Sequence, residues 1–141
     1  MKVKIKLVDK SLPLPQYHTS GAVAFDLYAR HDLIIPPKEI ARIPTNLIIA
    51  VPEGYMLYLK DRSSTAKKKG LIVTAGVIDQ DFHGPEDEIL FQVYNFTKQE
   101  VLVKKGERIG QGIFIKIDRA EWEEVVEDIK SFSRGGFGST G

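Results

Sequence analysis

Apolar residues recur with a period of two in short runs along most of this chain. Val3, Ile5 and Leu7 alternate with Lys2, Lys4 and Lys6, the alternation of a half-buried strand. Further strand-like runs cover residues 25–29, 33–35, 39–43, 47–51, 55–60, 71–73, 88–96, 100–103 and 110–117. Turn formers separate them: Pro36-Pro37, Pro44-Thr45-Asn46, Pro52-Glu53-Gly54, His83-Gly84-Pro85 and Lys105-Gly106. Many short strands at this spacing predict an all-β sandwich or barrel. One helical turn is predicted over residues 63–68, opened by serine and containing alanine. Residues 120–129 fit either class. Trp122, Val125, Val126 and Ile129 have helical spacing, whereas Val-Val in a short segment also suits a strand. Trp122 is expected to be a packing residue. There is no internal repeat and no domain linker.

The pattern stops at Ser133. The last nine residues hold four glycines, which lose the most backbone entropy on ordering. Two readings stand: a frayed end, or a segment that orders on a ligand. For the second, a Gly-Ser-Thr backbone can wrap an anion, Arg134 can pair with phosphate, and Phe137 can stack on a base.

With 141 residues the chain is long enough for one domain and one core. Lys+Arg of 20 against Asp+Glu of 19 leaves a formal charge of +1, too even for a general nucleic-acid binder. The absence of cysteine excludes disulfides and thiolate zinc sites. The N-terminus lacks the apolar stretch of a signal peptide, and no run approaches the ~18 apolar residues of a membrane span. A cytoplasmic protein with neither nucleic-acid nor membrane partners is expected. The three histidines show no metal-ligand spacing, and Lys67-Lys68-Lys69 reads as a solvated face.

Two segments carry candidate chemistry. In residues 61–66, Ser63, Ser64 and Arg62 follow a strand and open a helical turn. Hydroxyls, fresh helix N–H groups and a guanidinium fork suit a phosphate there, and a simple N-cap with an exposed Arg is the competing reading. In residues 76–84, Asp79 and Asp81 flank Gln80 between a strand and a turn. They either favour the turn or supply a carboxylate that deprotonates a water.

Together these segments resemble, in order, the five motifs of the trimeric dUTPase family. The first is Ala24-Phe25-Asp26-Leu27-Tyr28-Ala29, and the second Asp61-Arg62-Ser63-Ser64-Thr65-Ala66 with Lys68 and Gly70-Leu71 after it. The third runs from Gly76 to Gly84, the fourth is Gly106-Glu107-Arg108-Ile109-Gly110-Gln111, and the fifth is the tail from Gly135. The resemblance implies a jelly-roll-like β barrel with a short helix. It divides the chain into a barrel at 1–132 and a flexible glycine-rich lid at 133–141 of the same domain. It further implies a homotrimer with each site at a subunit boundary, and hydrolysis of dUTP to dUMP and pyrophosphate with Mg²⁺ held by the triphosphate. Asp79 would then activate the water that attacks the α-phosphorus. Phe82 would pack on the deoxyribose, and backbone groups of Gly76 and Ile78 would read the uracil edge. Arg62, Ser63, Ser64 and Gln111 fall where the family binds phosphates. Phe137 falls where it stacks on uracil, with Arg134, Gly138 and Ser139 beside it. Asp26 is expected to organise the site by pairing with a basic neighbour.

The chain departs from the family at Asp61 and Ser64, where Pro and Gly are usual, and at Phe82, where Tyr is usual. It is two residues longer around Pro85-Glu86-Asp87, and Arg134 lies closer to Phe137 than the family's Arg does. The rival enzyme reading is dCTP deaminase, alone or fused in function with dUTPase, which shares the fold and often carries Arg-Ser-Ser in its second motif. Its catalytic Glu position is filled here by Gln92, and an amide cannot act as a general base. A catalytically dead binding domain on this scaffold is the third reading, and Asp79, Arg62 and Gln111 argue against it.

Overall fold

A computed structural model describes residues 1–138. The alternating runs become β1 (Ile5–Leu7), β2 (Phe25–Tyr28), β3 (Leu33–Ile35), β4 (Ile40–Pro44), β5 (Leu47–Ile49) and β6 (Tyr55–Lys60). They continue as β7 (Leu71–Ala75), β8 (Val77–Ile78), β9 (Leu90–Asn95), β10 (Val101–Val103) and β11 (Arg108–Lys116). The pairings are antiparallel and group into four small sheets: β1-β5, β3-β10, β2-β11-β6-β8 and β4-β9-β7. This is the jelly-roll-like all-β architecture expected from the sequence.

The sheets enclose one core. Along β9 the alternation is literal, with Phe91, Val93 and Asn95 buried between less buried neighbours. Leu27, Ile35, Ile43, Leu57, Leu59, Leu71 and Ile89 meet them there, each such side chain contributing about 1.5–3 kcal/mol relative to exposure. Asn95 is one of the buried polar residues beside this core. Its amide donates to the Ile35 and Gln99 carbonyls at 3.0 and 2.8 Å, and its oxygen accepts from Thr97 N at 2.9 Å. Two glycines of β11 leave room for aromatic rings: a Cβ on Gly110 would lie 2.6 Å from Phe91, and one on Gly112 would lie 2.5 Å from Phe25.

Two expectations are corrected. The helical turn runs over Thr65–Lys69 and is wound as a π-helix, closed by Gly70 at φ 70°. Residues 120–129 form neither helix nor strand. Trp122 is 93% exposed, and Val126 and Ile129 are exposed beside it. Trp122 is therefore not a packing residue within one chain: no element folds back to cover it. Among the described residues no helix is long and apolar enough to cross a membrane.

Candidate functional site

The residues singled out from the sequence fall into two groups and a tail. The first group forms where β2, β11 and β6 lie side by side. The register places Asp26, Gln111 and Lys60 in one row across the sheet. Asp26 is only 7% exposed, and a buried carboxylate is tolerable when paired and hydrogen-bonded. Its Oδ1 lies 2.9 Å from Arg62 Nε and its Oδ2 2.9 Å from His18 Nε2 as close ion-pair contacts, and Oδ2 accepts a hydrogen bond from Arg108 Nη1 at 3.2 Å. One anion thus holds two guanidiniums in place. Arg62 turns the Nε side of its guanidinium toward Asp26, and its two terminal amino groups make no hydrogen bond among the described residues.

The backbone at Arg62 is fixed as well. Its N–H donates to Thr65 Oγ1 at 3.1 Å, and that hydroxyl donates to the Ile109 carbonyl at 3.2 Å. Gln111 Nε2 donates to the Asp61 carbonyl at 2.8 Å. Ser63 is exposed and Ser64 half-buried at the start of the helical turn, and Ser64's side chain makes no cap hydrogen bond. A cavity of about 270 Å³ opens here between Arg62, Ser64, Lys68, Lys69 and Arg108. Glu107 also lines it and is paired with Lys69 at 2.6 Å. The surplus of positive charge suits a phosphate chain.

The second group lies on the other side of the same sheet. β8 pairs with β6 through Leu57↔Ile78 and Tyr58↔Val77. Gly76 precedes it in close contact: its carbonyl accepts from Leu59 N at 2.6 Å, and an added Cβ would lie 2.4 Å from the Leu59 oxygen. Asp79 follows β8, level with Met56. Gln80 Nε2 then donates to the Tyr55 carbonyl at 2.9 Å, which anchors the turn. The hairpin presents an exposed Asp79 and a Phe82 that is 38% exposed.

The strand order separates the two groups. β2 and β8 are opposite edges of the four-stranded sheet, so three strand spacings, ~14 Å at the usual spacing, separate the strand of Asp26 from the one that Asp79 follows. Arg62 turns toward Asp26, away from Asp79. A single chain therefore brings together Asp26, Arg62, Gln111 and the two serines, and does not bring Asp79, Phe82, Gly76 or Ile78 to them.

The tail belongs to neither group. Arg134 is exposed, and Phe137 is fully exposed at φ 50°. Gly138 ends the described residues, and Ser139 lies outside them.

Arg108 and His18 are site residues to which the sequence reading assigned no role. Arg108 stands in a quoted motif, and its basic charge near Gln111 was the available signal. His18 has no such signal, because its place beside Asp26 depends on the irregular path of residues 8–24. Gln92, at the position of the deaminase Glu, accepts from Arg42 Nε at 2.9 Å and donates to Thr74 Oγ1 at 3.1 Å. Among the described residues no three His, Asp or Glu side chains converge to cage a metal. The cavity lining is mainly cationic, which suits the phosphates themselves.

Comparison with known proteins bears directly on this arrangement. A family model described as dUTPase matches residues 10–141. The deoxyuridine 5'-triphosphate nucleotidohydrolase of Dictyoglomus turgidum is 43% identical, over 100% of this chain and 99% of that one. The dUTPase of Staphylococcus bacteriophage 80alpha, solved with dUPNHPP, superposes with a TM-score of 0.87 at 25% identity, covering 99% of this chain and 98% of that one. A mutant dUTPase from phage phi11 of S. aureus superposes with a TM-score of 0.81 at 20% identity, covering 90% and 98%, and its structure reveals the coordination of a structural Mg(II) ion.

Proposed function

Since the chain belongs to the dUTPase family, we propose that it hydrolyses dUTP to dUMP and pyrophosphate at sites completed between copies of a homotrimer. The observation that carries this reading is that Asp79 follows one edge strand of the four-stranded sheet while Asp26, which gathers Arg62 and Arg108, lies on the opposite edge strand. An attacking water and the phosphates it attacks must lie within a few ångströms, so Asp79 of one copy works with Arg62 of another.

The surface supports self-association. Ile40, Tyr94 and Ile72 form a row on the outer face of the β4-β9-β7 sheet, and Ile34 and Leu102 pair on the outer face of β3-β10. Ile34, Ile40, Ile72 and Leu102 are all exposed in the single chain. Exposed apolar groups of this kind mark protein contacts. The exposed arm around Trp122, Val126 and Ile129 adds another such surface.

In the assembled site, Arg62, Ser63, Ser64 and Gln111 hold the phosphates, with Arg108 braced beside them on Asp26. Backbone groups of Gly76 and Ile78 read the uracil edge. Phe82 lies against the deoxyribose where a 2′-hydroxyl would sit. Mg²⁺, when bound to the triphosphate, supplies neutralisation of the charge that builds on the leaving pyrophosphate. Asp79 takes a proton from the attacking water as its oxygen bonds to the α-phosphorus. The bond from the α-phosphorus to the bridging oxygen breaks, and pyrophosphate leaves. Residues 133–141 close over the nucleotide, with Phe137 on the base and Arg134, Gly138 and Ser139 toward the phosphates, while 1–132 form the barrel. The enzyme works on the free nucleotide pool of the cytoplasm and keeps uracil out of DNA.

Incubation with Mg²⁺ and dUTP or dCTP tests this reading. The expected products are dUMP and pyrophosphate from dUTP and none from dCTP, because the amide of Gln92 cannot act as the deaminase base. Equal turnover of UTP would remove Phe82 from its role, and ammonia release from dCTP would overturn the choice of enzyme.

A further inference from the structure

We propose that Asp61 is a positioning residue: it fixes the backbone from which Arg62 presents its guanidinium to the phosphates. The inference rests on the reading of Arg62 as a phosphate ligand given above.

The ladder between β6 and the chain that returns beside it begins with Leu57↔Ile78 and Tyr58↔Val77 and continues through Leu59 N to the Gly76 carbonyl at 2.6 Å. Past that point the two segments diverge. β7 leaves to pair with β9, and its register shifts between Val73 and Ala75, the mark of a bulge that bends a strand. Main-chain bonding from β6 to this segment ends there. The Asp61 side chain spans the gap, its Oδ1 accepting from Val73 N at 2.9 Å. β7 is an edge strand of its own sheet, so this N–H has a carboxylate partner where a ladder partner is missing.

Asp61 is held from the opposite side too, through Gln111 Nε2 on its carbonyl at 2.8 Å. The following N–H, that of Arg62, goes to Thr65 Oγ1 at 3.1 Å. The base of the Arg62 side chain is thus pinned from β7, from β11 and from the helical turn. An arginine is a long lever, and a small rotation at its Cα moves the guanidinium by ångströms. Misplacement by 1 Å can cost ~10²-fold in a positioned group.

Steady-state kinetics on dUTP with Mg²⁺ test the inference, using the full-length protein and checking assembly by sedimentation. Asp61→Ala should raise KM about tenfold and leave kcat within about twofold, below the ~10²-fold ceiling for a 1 Å displacement. Asp61→Asn keeps an oxygen acceptor for Val73 N and should hold KM at or below the parent value, since it also removes a negative charge near the phosphates. Asp61→Ser, polar but too short to reach Val73, repeats the comparison should the alanine variant fail to assemble. Arg62→Ala is measured alongside. If Arg62→Ala raises KM while Asp61→Ala and Asp61→Ser do not, the positioning role is wrong. A lowered Tm at unchanged KM overturns it equally, by making Asp61 a merely structural tether. If Arg62→Ala itself leaves KM unchanged, it is the assignment of Arg62 that fails.

Discussion

The two halves of the site are built in opposite ways. The phosphate half is braced before any ligand arrives: a nearly buried Asp26 holds two arginines and a histidine, and the backbone between them is tied to two further elements. The hairpin half offers an exposed carboxylate and a half-exposed phenyl ring on a rigid edge. Binding a polyanion requires cations held against their own repulsion, so that half needs internal partners. A water-activating carboxylate needs only to be presented at the right place, and in the proposed trimer its remaining partners would arrive with the neighbouring copy. Substitutions should therefore separate into those that affect chemistry alone and those that affect folding as well.

The sharpest separation is at Asp79. Asp79→Asn should lower kcat by roughly 10²–10⁴, the usual worth of a positioned general base, while Tm and trimer mass stay unchanged because the side chain is exposed. Mixing this variant with Arg62→Ala after denaturation and refolding should recover activity that neither shows alone. Absence of any recovery in demonstrably mixed trimers would place both residues in one chain's site and break the comparison.

Next is the tail, which belongs to neither half. Deletion from Arg134 onward should leave assembly intact and cut pyrophosphate release steeply. Phe137→Ala alone should cost on the order of the ~1–3 kcal/mol of a base–aromatic stack. Full activity in the truncated trimer would return the tail to a frayed end.

Asp26→Asn tests the braced half. Two guanidiniums would lose their shared anion, so both KM and thermal stability should suffer. The stability loss should be about 1–3 kcal/mol, the scale of hydrogen bonds to charged groups, and is measurable by denaturant midpoints. A KM effect with no stability effect would mean that the cluster is not a brace.

The smallest effect lies beneath the phosphate half, at the turn that feeds β11. The Lys105 ammonium, 2.6 Å from Asp9, holds that carboxyl well below the usual carboxylate range, and the Lys105 backbone N–H does the same more weakly to Asp32. Folded pKa values below the unfolded ones mean that the stabilisation is fully present above the ordinary value of ~3.9. It is then lost as pH falls through the depressed folded values. Asp32 is exposed and the Asp9 side chain about one-third accessible, so solvent screens both and the expected change is modest. Tm plotted against pH should be flatter below about pH 4 for Asp9→Asn than for the parent.

The strands were legible because burial on one face imposes a period of two, as at Phe91, Val93 and Asn95. The π-wound turn was read only as helical, since Ser and Ala favour a helix without choosing its pitch. What one chain cannot encode locally is which residues share a site. Asp79 and Arg62 sit in neighbouring motifs, yet Arg62 leaves the end of β6 to pair with Asp26 of β2 while Asp79 follows β8 at the opposite edge of the sheet, and only pairing partners far along the chain decide that. His18 escaped notice for the same reason, being positioned by a loop with no periodicity. Trp122 finds no cover among the described residues of its own chain, where an aromatic residue normally does.

That exposed indole makes the protein its own reporter. Trp122 is the one tryptophan of the 141 residues and is 93% exposed. Its fluorescence is therefore undiluted by any other indole and comes entirely from the arm. In an isolated subunit the emission is that of a water-bathed ring, quenched readily by iodide. If the arm docks on a neighbouring copy, the spectrum moves to the blue and the quencher loses access. Dilution, pressure or a destabilising substitution at the interface could then be followed by light alone, without a label.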